Sequence, residues 1–545
     1  MEKVNRRNFL KYLGQSAAAA SLPASILSTF VSHGCSNNST PRVGSEIPFT
    51  PVNPSSEDLL KIADGFNWRL LIKANEPINQ SGLKFGWNND FIAVVTPVNS
   101  KSDNLLMWVN HETPTPQLQH GELHPDKKTL DQINIEKRSL GGSILEINKS
   151  ESEWNLVFDS KYNRRLDAFT KIPFLWDDPI MGTDHAIGTF ANCAGGVTPW
   201  GTFLSCEENY QNFYGEREHR GDWQSLSPHN SFGWHRFEKY PPEHYGWVVE
   251  VDPLTGDAHK LVSMGRFSHE SATVVSLPDG RVAVYSGDDK ENECIYKFIS
   301  DKPNSLKTGA LYVAQIETGK WIPLDINQSP VLKKHFSNQT EVLTYTRKAA
   351  HLLGGSKMDR PEDIEINPIN GDIIIALTNN VPAGIIEELF QLNGNYHGSL
   401  FKISENNRNY ESLNFSSETF LAGGNETGFS CPDNLLFDSK GNLWFTTDVS
   451  GSRIGEPPYQ QFKNNGLFYI PVSGTDSGNA FQVASAPRDA EFTGPCFSPD
   501  EKTLFLSVQH PGEKSKNITS LRSHWPDGGN ALPLPAVVQI TGGVL

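Results

Sequence analysis

Cys193 opens a hairpin, "NCAGGVTPWGTFLSCEEN" (192–209), and Glu207 and Glu208 close it. A thiol at the start of one strand and paired carboxylates at the end of the next are metal donors, which an apolar hairpin does not need for folding. Four further segments share the design: "HESATVVSLPDGRVAVYSGDD" (269–289), "RPEDIEINPINGDIIIALTNN" (360–380), "CPDNLLFDSKGNLWFTTDVS" (431–450) and "PRDAEFTGPCFSPDEKTLFLSVQHPGE" (487–513). In each, a ligand-type residue begins a strand, a turn follows, and a second strand ends in polar residues. The residues in common register are Cys193, Glu270, Glu362, Asp433 and Glu491. The second strands offer Glu207-Glu208, Asp288-Asp289 and Asp448, and Glu207 and Asp288 complete the expected set of metal ligands. A weaker sixth copy, 88–113, ends in Asn110-His111-Glu112.

Each of these residues has a plainer reading alone. Cys193 is then a small buried hydrophobe, a lone Asp or Glu at a strand start is a turn residue, and His111 and His269 are satisfied core histidines. The shared register argues otherwise, because turn preferences do not require it. Four carboxylates and a thiol that converge repel one another unless their protons are retained or cations fill the gap. The carboxylate majority favours a hard ion such as calcium (Ca2+), and the thiolate a transition metal such as iron (Fe3+). Arg360, two residues before Glu362, is either a salt-bridge partner of Asp359 or Glu362, or a fixed guanidinium beside the cations. The second arrangement suits a phosphoryl oxyanion, which accepts bidentate donors.

The elements that must position these residues are strands. Most of the chain is short runs of Val, Ile, Phe, Trp, Tyr and Thr broken by Gly, Pro, Asn and Asp, the pattern of an all-β fold. The strongest helical window, "IIEELFQL" (385–392), is short. Hairpins recurring along 545 residues point to an all-β, six-bladed β-propeller with loop insertions, whose innermost strands line one axis. An array of β-sandwiches is the structural rival. A hydrophobic fraction of 37% allows a large core, and a net charge of −16 argues against nucleic acid as partner. The six cysteines show no CxxC spacing, so a zinc ribbon is excluded.

The first residues read as an address. Arg6-Arg7 precedes Phe9-Leu10-Lys11 and an Ala/Ser/Leu-rich run, which predicts a signal peptide over 1–35 read by the twin-arginine export machinery. Export implies a periplasmic or extracellular enzyme. Cys35 follows "VSHG", a loose lipoprotein site, so a lipid anchor at Cys35 is the alternative ending. Residues 36–60 are expected as a flexible tether, with a single propeller domain over 61–545.

The blocks "FGWNNDFIAVV", "VNHE", "NCAGGVTPWGTFLSCEEN", "YGWVVEVDP", "GRFSHESATV", "MDRPEDI", "CPDNLLFD", "TGPCFSPD" and "VQHPGE" together resemble the PhoX-type alkaline phosphatases (DUF839 group), in that family's order from about residue 85 to the end. The resemblance implies a six-bladed propeller, an iron and calcium cofactor, and hydrolysis of phosphomonoesters by a mostly monomeric enzyme. It places the iron-ligating thiol on Cys193, the phosphate-binding arginine on Arg360 and a metal carboxylate on Glu362, with Glu270, Asp433 and Glu491 similar to the other acidic ligands. Two rivals are a calcium-dependent lactonase or arylesterase, which gives Cys193 and Arg360 no role, and a non-catalytic binding propeller, which needs no tightly held iron.

Overall fold

A computed structural model describes residues 47–97, 102–220, 231–380 and 394–545. The signal peptide, Cys35 and the "IIEELFQL" window therefore lie outside the described residues. No helix among the described residues is long and apolar enough to cross a membrane.

Six antiparallel sheets of four or five strands follow one another along the chain, the six blades expected. Their innermost strands are Asn89–Val95, Asn192–Val197, His269–Ser276, Pro361–Ile366, Pro432–Phe437 and Glu491–Phe497. Within a blade the middle strands are sandwiched between neighbouring blades, so they are buried along their whole length and mostly apolar. Val282–Asp288, Ile373–Leu377 and Leu443–Thr447 are buried at every residue, as strands covered on both faces must be. The outermost strand Phe415–Ala422 is instead largely exposed.

Phe66–Lys73 is the outer strand of the last blade, paired with Ala536–Gly542, so the two ends of the propeller are zipped in one sheet. Lys61–Ile62 adds a fifth strand to the preceding blade. The packed chain begins before residue 61, in place of the tether expected to run that far. Ile47, Phe49 and Leu60 are buried, and the Phe49 ring meets Phe66 and Tyr469 edge-on, at 5.6 and 5.9 Å between centroids. Their apolar burial outweighs the turn-forming composition around them.

Adjacent inner strands approach closely. A methyl group at Gly196 would stand 2.0 Å from the Ala272 carbonyl oxygen, so the second and third blades meet there only without a side chain. The short helices Pro330–His335, Gln339–Thr344 and Thr346–Leu352 form an insertion between the third and fourth blades.

Candidate metal centre on the propeller axis

Every inner strand carries a β-bulge, near its start in five of the six. The register shifts between Asn89 and Ile92, Asn192 and Gly195, Glu270 and Thr273, Pro361 and Ile364, and Pro432 and Leu435; in the last blade the shift falls between Thr493 and Cys496. A bulge re-aims a side chain out of the ladder. The backbone is prepared for this two residues ahead of the ligand position. Asn88, Ala191, Arg360, Cys431 and Asp489 all have left-handed φ, from 52° to 59° in four of them and 43° at Asn88. They precede Asp90, Cys193, Glu362, Asp433 and Glu491.

These five side chains and Glu270 line one cavity of about 230 Å³ at the axis. The expected ring of Cys193, Glu270, Glu362, Asp433 and Glu491 is thus brought together, with Asp90 as its sixth member. Aligning the weak first copy by its bulge would have found Asp90. The second strands supply an outer tier: Glu112, Glu208, Asp289, Asp448 and His510 line the same cavity.

Glu207 and Asp288 are not in it. Each stands one position before the residue that is, and successive strand side chains point to opposite faces. Glu207 is buried in the blade, 2.6 Å from Lys260 Nζ, and accepts from the Gly246 and Trp247 amides at 3.0 and 3.2 Å. Asp288 accepts from Arg347 Nε at 2.8 Å and Nη2 at 2.5 Å. Their neighbours Glu208 and Asp289 take the expected places. His111 and His269 are core histidines, lying 2.7 Å from Ser143 Oγ and 2.9 Å from Ser286 Oγ.

Three of the donor oxygens lack partners of their own. Asp90 Oδ1, Glu208 Oε1 and Glu270 Oε2 are buried with no hydrogen bond, a costly state unless something else binds them. Burial, and then the neighbouring carboxylates, push the acids Asp90, Glu208, Glu270, Glu362, Asp433 and Glu491 well above the usual carboxylate range. Burial, followed by Asp90 and Glu270, raises the Cys193 thiol as well. A protein holding this many acids together without cations keeps them protonated, so the donor set fits a polynuclear metal group. Ligand atoms of Cys193, Glu208 and Glu270 lie within 4.8 Å of one another, and the Cys193 thiol donates to Asp90 Oδ2 at 3.2 Å.

Other side chains fix the donors in place. Gln509 donates to Glu112 Oε2 at 2.7 Å and Thr378 to Glu362 Oε1 at 2.9 Å. Asn110 donates to the Cys193 and Ala194 carbonyls at 2.7 and 2.8 Å. Arg360 crosses the cavity wall. Its Nε and Nη2 each donate to Asp289 at 2.7 Å, and Nη2 stands 2.8 Å from Glu362 Oε1. Burial opposes its charge, but Asp289 and Glu362 keep the guanidinium protonated. Arg360 also borders a second pocket of about 410 Å³, floored by Asn209, Asp289, Asn379 and Ser450 and walled by Arg453 and Tyr459. A small anion at the cavity therefore has room beside it for an organic group.

The family model described as Alkaline phosphatase PhoX matches residues 47–512. A solved structure of Pseudomonas fluorescens PhoX in complex with vanadate, a transition state analogue, is similar over 91% of this chain and 98% of that one, with a TM-score of 0.80 and 26% identity. The NanB sialidase of Streptococcus pneumoniae matches over 87% of this chain and 70% of its own, with a TM-score of 0.36 and 9% identity. A fungal alcohol oxidase of the AA5 family, in complex with copper, matches over 88% and 76%, with a TM-score of 0.36 and 9% identity. No curated protein matches the chain in sequence.

Proposed function

The chain belongs to the alkaline phosphatase PhoX family and is by that membership a metal-dependent phosphomonoesterase; from this premise we propose that it cleaves its substrates in the axial cavity, with iron and calcium held by the ring. The observation that carries the reading is the convergence of ten acids, one thiol and one arginine on a single cavity, with buried carboxylate oxygens left unpartnered. Cys193, with Glu208 and Glu270, is the place for iron, because a thiolate prefers a transition metal. The all-oxygen donors Asp90, Glu112, Asp433, Asp448 and Glu491 suit calcium. When bound, such ions neutralise phosphoryl charge and raise the acidity of coordinated water.

The chain's own residues then do the following. Arg360 presents a guanidinium pre-oriented by Asp289, so little order is lost when it binds phosphoryl oxygens. Glu362, bonded to Thr378 and beside Arg360, is held at the junction of anion and cations. Asn209 and Ser450, shared by both cavities, lie where the ester oxygen passes from one to the other. The sequence has no G-x-S-x-G elbow, so the reading uses no serine nucleophile. That Pseudomonas fluorescens PhoX binds vanadate, a transition state analogue, supports phosphoryl transfer as the chemistry. The Arg6-Arg7 leader supports export of the enzyme.

The test is a metal analysis of the purified protein, with p-nitrophenyl phosphate turnover measured before and after a calcium chelator. Bound iron and calcium, with turnover lost on chelation and restored by calcium, are expected. Turnover of aryl esters or lactones in place of the phosphomonoester would favour the lactonase reading, and a metal-free inactive protein would favour the binding propeller.

A further inference from the structure

A second group of donors lies outside the axial cavity, where the third blade meets the helical insertion that follows it. The loop leaving strand Val282–Asp288 carries Glu293 and Cys294, and the facing helix Thr346–Leu352 carries His351. One ligand atom from each of the three lies within 4.8 Å of the other two. Cys294 is fully buried, while the Glu293 and His351 side chains are 12% and 37% exposed. Glu293 Oε2 is sealed from solvent and is paired with His351 Nε2 at 2.9 Å.

Backbone contacts hold the group in place. The Met358 amide donates to the Glu293 carbonyl at 2.9 Å, and the Asp288 amide to the Cys294 carbonyl at 3.1 Å. Gly355 lets the chain pass directly over the sulfur, since a Cβ there would stand 3.0 Å from Cys294 Sγ. Sequence neighbours on a strand point apart, but these two lie before the next strand begins at Ile295, where the turn allows both to face His351.

We propose that Glu293, Cys294 and His351 form a second metal site, distinct from the axial cluster, that takes a divalent ion of intermediate softness such as zinc. One carboxylate, one thiolate and one imidazole are three of the four ligands of tetrahedral zinc, and the exposed side of His351 admits a water as the fourth. On binding, the Cys294 thiol gives its proton to solvent and the metal takes the place of the Glu293–His351 contact. The ion joins the loop to the helix. That helix also carries Arg347, which grips Asp288, the residue before Asp289. The site thus braces the strand end that holds Arg360, without touching substrate.

The group could also be an ordinary ion pair beside a core cysteine, and a cobalt titration of the full-length protein separates the two. With Co2+ as the probe, Cys193→Ser, which has no axial thiolate, is expected to show a sulfur-to-cobalt charge-transfer band that the double variant Cys193→Ser, Cys294→Ser lacks and that adding His351→Ala to Cys193→Ser weakens. After desalting from Zn2+, wild type is expected to retain one more equivalent of zinc than Cys294→Ser or His351→Ala. Equal zinc in all three, or a band abolished by Cys193→Ser and untouched by Cys294→Ser, would overturn the proposal. If Cys294→Ser does not fold, His351→Ala decides alone, because its side chain is partly exposed: unchanged zinc and an unchanged zinc-induced rise in melting temperature would reject the site.

Discussion

Arg360 and Asp289 face one another across two parallel hydrogen bonds of 2.7 Å, Nε to Oδ1 and Nη2 to Oδ2. They come from adjacent blades. Arg360 has a left-handed backbone, φ +52°, at the entrance of one inner strand, and Asp289 follows the second strand of the blade before it. The arginine of the cavity is therefore oriented by the blade–blade seam.

Removing the guanidinium should leave the metal and take the turnover. Arg360→Ala is expected to retain iron and calcium but to lose kcat by about 10²- to 10³-fold, the usual cost of a transition-state donor. Arg360→Lys should recover only part, since a point charge cannot reproduce the bidentate fork. Unchanged kinetics in Arg360→Ala would remove it from the mechanism.

Cys193→Ala and Glu362→Ala should lose metal and activity together, because each deletes a donor from a cluster whose charges are balanced jointly. Metal content and p-nitrophenyl phosphate turnover, measured on the same preparations, check this. Full activity in either variant would count against the axial centre.

Glu207 should behave as a structural residue. Its ion pair with Lys260 is closed to water on both sides, so Lys260→Met alone leaves a buried uncompensated carboxylate and is expected to cost about 3–5 kcal/mol. The double variant Glu207→Leu, Lys260→Met should recover much of that loss. Urea midpoints measure both, and metal content per folded molecule should match wild type.

Acid should weaken the fold through His244. Burial, and then Lys260, lower its pKa from 6.5 to about 4. Between those values the unfolded chain binds a proton that the folded chain refuses, so this group's contribution to stability falls as pH drops through that window. From pH 8 to pH 5 the loss should be about 2 kcal/mol. His244→Gln should flatten the dependence by that amount in urea unfolding, and an identical slope in wild type and variant would refute the assignment.

The hairpin repeat made the propeller legible, and with it the ring of Cys193, Glu270, Glu362, Asp433 and Glu491. Strand residues in common register face a common axis, whatever the loops between them do. Asp90 stayed hidden because its copy is weak, and it emerges only when the bulge at Asn89–Ile92 is seen.

Adjacent acids could not be told apart along the chain. In Glu207-Glu208 and Asp288-Asp289 both members are carboxylates, and which one faces the axis depends on where the bulge shifts the register. Only the folded sheet decides that, by giving Glu207 to Lys260 and Asp288 to Arg347. Zipping of Phe66–Lys73 into the last blade, burial of Phe49 against Tyr469, and the meeting of Glu293, Cys294 and His351 belong to the same class. Amino-acid types and their spacing specify strands, turns and the radial position of a ligand, because those follow from local chemistry. Contacts between segments far apart in the chain follow from packing, which no single segment encodes.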